Sequence, residues 1–240
     1  MLPNPEKSEV MLVGTCVQQS AFSRPLFVDI AGSCVEAKDS IVSLGVSVDS
    51  GLTCQRRIGD IVSSCNYHLR ALKHIRPALN SSTAQAVGRA IVLSRLDYCN
   101  ALLAGTNETG ITRLQRVQNR LVRMTVQLPF RAHVGDARIA LHWLPIRERI
   151  VFKLAVLAFE VRRTREPSYL AELLISRVPA RMLRSSSDAS QLVNPRTRNK
   201  RYTRAFSSAA PTVWNALPSY LRECGSLKTF KTRLKSFLFN

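Results

Sequence analysis

Four arginines, Arg113, Arg116, Arg120 and Arg123, recur at spacings of three, four and three. On a helix this places them in one row beside an apolar line of Leu114, Val117, Leu121 and Met124. A row of guanidinium groups suits phosphate, because each offers a planar fork of donors and a permanent charge. Such contacts are blind to base sequence and weaken with salt, with a log–log slope of about 0.9 per duplex phosphate neutralised. A solvated helix face carries the same pattern, although like charges three and four residues apart cost roughly a few tenths of a kcal/mol each without a partner. A second cluster comprises Arg196, Arg198, Lys200, Arg201 and Arg204, with Tyr202 among them. Cations around an aromatic in an extended segment suit RNA, where a base stacks and the segment orders on binding. A nuclear-import signal and a solvated loop are the other readings of these residues.

No catalytic set accompanies these cations. Asp97-Tyr98 lies in the middle of a predicted helix with no second acid nearby, which suits a helix–helix hydrogen bond or a polar surface position. His142-Trp143 has no Ser, Cys or carboxylate beside it in a nucleophile motif. A Trp at a turn before proline reads as a core anchor, and Trp214 reads the same way. The cysteines, Cys16, Cys34, Cys54, Cys65, Cys99 and Cys224, show neither a C-x-x-C pair nor Cys/His spacing for zinc. They read as reduced thiols packed as small apolar groups. No metal site and no cofactor is expected.

Charge supports a polyanionic partner. The formal net charge is +19 over 240 residues, and it is unevenly spread. Residues 1–50 hold three basic and six acidic side chains, and the remaining 190 hold 32 basic and 10 acidic. Nucleic acid is the natural partner for such an arginine-rich excess. An apolar content of 45% argues against disorder. No apolar run is long enough for a membrane span or a secretory signal. The expected location is intracellular, nuclear or cytoplasmic, and not secreted.

The elements that would position the cations follow from periodicity. Residues 9–15, 26–30, 33–36 and 41–48 read as short strands of one small antiparallel sheet. Ile58, Ile61, Val62, Cys65, Leu69, Leu72 and Ile75 form the stripe of a helix that Pro77 stops. Asn80 to Thr83 offers a cap for a second helix over 84–104, with Val87, Ile91, Ser94, Tyr98, Ala101 and Leu102 as its apolar positions. A third helix over 109–127 carries the arginine row, and Pro129 ends it. A short helix over 136–141 precedes a long one from Pro145 to about Thr164, with another turn or two over 167–175. Residues 176–208, with eight basic residues and one acid, read as an extended basic loop. Helices over 210–217 and 226–239 close the chain, with Phe230, Leu234 and Phe237 on one face of the last. The fold class is therefore α+β and mainly α, a small N-terminal β segment followed by helical regions.

Several blocks carry a family resemblance. N-P-E-K-S-E-V-M-L-V-G-T (4–15) and V-S-L-G-V-S-V-D (42–49) resemble the motif D turn and strand and the motif E primer-grip hairpin of a reverse transcriptase palm. Behind them come S-R-L-D-Y-C-N-A-L-L (94–103), L-Q-R-V-Q-N-R-L-V-R (114–123), L-H-W-L-P-I-R-E-R-I (141–150), N-P-R-T-R (194–198), R-A-F-S-S-A-A-P-T-V-W-N-A-L-P (204–218) and S-L-K-T-F-K-T-R-L-K (226–235). Together these resemble the region following the polymerase core in jockey-like and chicken-repeat-like non-LTR retrotransposons (LINE-type elements).

The resemblance implies a palm remnant over 1–50, a thumb-like bundle over 51–130 and a C-terminal helical domain over 131–240 that holds the basic loop. It implies binding of RNA, DNA or a template–primer duplex, with Leu44, Gly45 and Val46 at the primer-grip turn. A separate catalytic reverse transcriptase is a possible partner. The family's metal-binding carboxylates lie partly in a Tyr/Phe-Ala-Asp-Asp hairpin, and that tetrapeptide does not occur here. No catalytic residue is carried over, and no polymerase activity is expected of the chain by itself. A domesticated stand-alone nucleic-acid-binding protein and a functionless transposon relic are the alternative readings.

Overall fold

The computed structural model describes residues 4–22, 25–129, 131–177, 191–196 and 202–239. The fold is α+β and mainly helical. The chain forms two compact units, Met1–Ser64 and Cys65–Asn240.

The smaller unit opens with a 3-10 turn, Pro5–Lys7, capped by the Asn4 side chain. Helix α1 (Cys16–Ser20) follows, then strands β1 (Phe27–Ile30), β2 (Ser33–Glu36), β3 (Ser40–Ser43) and β4 (Val46–Asp49). Two expectations are corrected here. Residues 9–15 form no strand beyond a single parallel bridge between Val10 and Ala37. Their apolar run ends in a capping box, in which Thr15 Oγ1 accepts from Gln18 N–H and Gln18 Oε1 accepts from Thr15 N–H, and helix α1 begins directly after it. The expected single sheet is two separate hairpins, β1–β2 and β3–β4. Each closes on a local two-residue turn with both φ positive, Ala31-Gly32 at 53° and 83° and Leu44-Gly45 at 49° and 73°. That geometry matches the twist of its own two strands.

The Asp49 carboxylate accepts from Thr53 and Cys54 N–H at 2.8 and 3.0 Å and leads the chain into helix α2 (Gln55–Ile75). Arg56 donates to Ser40 Oγ, Arg57 to the Gly45 carbonyl and Ser47 to Asp60, which fastens the first turns of α2 to the β3–β4 hairpin.

The larger unit contains the rest of α2, then α3 (Ser81–Gly88), a π-helical turn (Arg89–Leu93), α4 (Ser94–Asp97) and a 3-10 turn (Asn100–Leu103). The single helix expected over 84–104 is thus corrected to a broken one. Ser94 Oγ bonds back to the Ala90 carbonyl, a geometry that bends helices. The turn ends at Cys99, whose φ of 53° is left-handed. The buried face is also shifted by a residue. It holds Ala84, Gly88, Val92, Leu96 and Leu103, whereas Ser94, Tyr98 and Leu102 are exposed. Small residues face inward because the next helix crosses closely. A Cβ on Gly88 would lie 2.9 Å from Leu121 Cδ1. Cys65 packs here too, and burial pushes its thiol up to about 11.

Helices α5 (Glu108–Thr125), α6 (Gly135–Ala140), α7 (Ile146–Thr164) and α8 (Ser168–Ala171) follow. The chain closes with α9 (Phe206–Ala216), α10 (Ser219–Arg222) and α11 (Leu227–Phe237). Helix α7 is central, packing against α5, α9 and α11. Its core partners are Trp214 and Phe230, with Leu217, Leu221 and Leu234. The Phe159 and Phe230 rings stack at 4.4 Å, and the Arg162 guanidinium sits 4.7 Å over Trp214. Trp143 is buried as well, at 2% exposure.

Helix α9 starts four residues earlier than expected. Pro211 sits inside the helix. In the same stretch Thr212 Oγ1 donates to the Ser208 carbonyl at 2.8 Å. Part of the stretch read as an extended loop is also docked. Ser176 and Leu192 form an antiparallel bridge. Asn215 accepts from Leu192 N–H and donates to the Leu192 carbonyl, both at 2.8 Å, and the Leu192 side chain is 1% exposed.

Candidate nucleic-acid interface

Helix α5 presents the arginine row. Asn107 caps it, its Oδ1 accepting from Gly110 N–H at 3.0 Å. Leu114, Val117, Gln118, Leu121, Val122 and Thr125 are buried, and Met124 only half so, which makes the inward face wider than the expected line. Gln118 is fully buried and holds the helix in register with the start of α7. It donates to the Leu144 carbonyl at 2.8 Å and accepts from Gln115, whose own Oε1 takes Ile146 N–H at 2.9 Å.

The outer face carries the cations in two states. Arg116 and Arg120 are exposed, Arg113 and Arg123 half-buried. Arg120 donates to Asn66 Oδ1 at 2.7 Å, and Arg123 reaches the Ala132 carbonyl at 3.4 Å. Arg113 and Arg116 have no hydrogen-bond or ion-pair partner among the described residues. The row is therefore half engaged with protein and half available.

In the second cluster, Arg198, Lys200 and Arg201 lie outside the described residues. Arg196 is exposed on the strand-like segment that Leu192 pins, and Tyr202 is 65% exposed. Arg204 is half-buried and donates through Nε to the Gly105 carbonyl at 3.2 Å. The docked points on either side are Leu192, through Asn215, and Arg204, through the Gly105 carbonyl.

Leu44, Gly45 and Val46 stand at the β3–β4 turn of the smaller unit. Val46 is buried, whereas Leu44 is 88% exposed at the tip. A leucine in the left-handed region costs about 1–2 kcal/mol relative to a residue suited to it. An exposed apolar side chain in an unfavourable conformation is a hint of function. Leu44→Asn gives the Asn-Gly pair preferred at such turns. We expect about 1 kcal/mol of added hairpin stability, read as roughly five-fold slower hydrogen exchange at the β3–β4 amides. Unchanged exchange would show that Leu44 stores no strain.

Of the residues set aside as non-catalytic, Asp97 has a structural partner. Asp97 accepts from Arg149 Nη1 at 2.7 and 2.6 Å, joining α4 to α7. Among the described residues no group of three or more His, Cys, Asp and Glu side chains converges to hold a metal ion. No described helix is long and apolar enough to cross a membrane. Sequence reasoning missed Arg76, a buried cation that binds only main-chain carbonyls. Nothing in its local spacing separates it from a phosphate-binding arginine. Comparison with family models, curated proteins and solved structures returned no match.

Proposed function

We propose that this chain is the thumb and C-terminal region of a non-LTR retrotransposon reverse transcriptase, which binds RNA or a template–primer duplex and does not itself carry the polymerase carboxylates. The observation that supports it best is the outer face of α5. Arg113 and Arg116 lie on a helix whose opposite face is locked into the core, so the charges are rigidly displayed, and they lack a protein partner among the described residues. A polyanion relieves their repulsion without any rearrangement of the helix. The ordered family blocks in the sequence, the exposed Leu44 at a primer-grip-like turn and the Arg196–Tyr202–Arg204 segment point the same way.

The test is affinity for an RNA/DNA hybrid and for single-stranded RNA, measured by fluorescence anisotropy across salt. Changing Arg113, Arg116 and Arg120 together to Gln should lower hybrid affinity about ten-fold or more. It should also flatten the log–log salt slope by about 0.9 for each phosphate that is no longer neutralised. Wild-type affinity and slope in the triple variant would end the proposal. Primer, template, Mg²⁺ and nucleotides added to the same samples should give no extension. A second reading, a stand-alone RNA-binding protein, draws on the self-contained aromatic core of the larger unit. Preference for single-stranded RNA over the hybrid would favour it.

A further inference from the structure

A cavity of about 350 Å³ opens in the larger unit between three regions that are far apart in the sequence, around residues 97–100, 142–153 and 235. Arg149, Lys153 and Lys235 supply its cations, Asp97 its carboxylate, and Asn100 and His142 further polar groups. Arg149 spends one amino group on Asp97 and its Nε on the Leu144 carbonyl. Lys153 is exposed, and Lys235 is half-buried with its ammonium 6.0 Å from the Phe239 ring. Three cations against one carboxylate leave two positive charges unmatched, Lys153 at the open mouth and Lys235 partly recessed. Arg149 and Arg89 both lie close enough to disfavour the charged form of Lys235, after the larger effect of its burial. Asn100 is 4% exposed, and its Oδ1 has no hydrogen-bond partner among the described residues.

A phosphate monoester carries between about one and a half and two negative charges at neutral pH, which matches the unmatched pair. A phosphodiester carries one. The volume sits at the small end of ligand pockets, which run from about 300 to 1,000 Å³. It admits one phosphorylated nucleoside and excludes a duplex.

The geometry points to a binding pocket for a phosphate monoester, either the terminal phosphate of a nucleic-acid strand or a free nucleotide. The inference goes beyond the proposed function, because its residues are none of those in the α5 arginine row. The probes are AMP, adenosine and a ten-nucleotide RNA with or without a 5′-phosphate. AMP should bind the wild-type chain and adenosine should not, by calorimetry or NMR shift perturbation. Lys153→Met with Lys235→Met keeps both side-chain stems and should weaken AMP binding ten-fold or more. A several-fold preference for the 5′-phosphorylated RNA that this double variant abolishes assigns the pocket to strand ends. AMP binding without that preference assigns it to free nucleotides. The Arg113, Arg116 and Arg120 triple variant separates the two proposals, since it should weaken both RNAs equally and leave AMP unaffected. Equal binding of AMP and adenosine, or wild-type AMP affinity in the lysine double variant, would overturn the pocket whatever the RNA affinities.

Discussion

Phe230→Ala should lower the stability of the larger unit by about 3–5 kcal/mol, the range for truncating a buried aromatic. Phe230 is fully buried at the centre of the aromatic cluster, stacked on Phe159 at 4.4 Å with the ring planes 15° apart, and 6.0 Å from Trp214. It is the main anchor of α11 on α7 and α9, so its loss removes ring interactions worth about 0.5–1.5 kcal/mol beyond the buried area. It also leaves a cavity between three helices. A domain with about 5–15 kcal/mol in total cannot absorb that without a visible shift. Both tryptophans of the chain, Trp143 and Trp214, lie in the larger unit, so tryptophan fluorescence follows this unit alone. With an m-value of about 2 kcal/mol/M the urea midpoint should fall by about 1.5–2.5 M. Phe230→Leu retains much of the volume and should cost under half as much. A midpoint within error of wild type for Phe230→Ala would contradict a packed aromatic centre.

How much of this was legible in the sequence depends on how local the cause is. Helices α2, α5 and α7 announce themselves, because each buries one continuous face and burial imposes the 3.6-residue period. The break after Gly88 does not. The expected stripe continues at helical spacing through Ser94 and Tyr98, and only the back-bond to Ala90 and the left-handed Cys99 reveal the change. Residues 9–15 alternate like a strand, yet among the described residues they pair only through the Val10–Ala37 bridge. Leu192 was hidden in a Ser- and Pro-rich stretch, where composition predicts solvent exposure. Its burial depends on Asn215, 23 residues away. The arginine row on α5 was legible from spacing, but its division was not. Asn66 and the Ala132 carbonyl engage Arg120 and Arg123 from distant segments. The basic cavity has no local signature at all, because its walls come from residues 97–100, 142–144, 149–153 and 235.

Arg76 shows why a count of cations overstates the surface left for a polyanion, and its replacement should be the second costly change. It follows the last turn of α2 and is 8% exposed. Its guanidinium donates Nε to the Met124 carbonyl at 2.9 Å, Nη2 to Thr125 at 2.9 Å and Nη1 to Leu79 at 2.6 Å. Two of these acceptors are the terminal carbonyls of α5, which have no partner within the helix and carry the negative end of its dipole. The cation therefore acts as the C-terminal cap of the helix that displays the arginine row. No carboxylate takes part among the described residues. Arg76→Ala strips three charge-assisted bonds from buried carbonyls, and a loss of about 3–4 kcal/mol is expected. Arg76→Lys is the informative control. Its ammonium keeps the charge but cannot span three carbonyls in one plane, so it should recover less than half of the loss. Full recovery by lysine would mean that the charge alone matters and that the fork geometry does not. If the fork matters, Arg76→Lys should also raise hydrogen exchange in the last turn of α5.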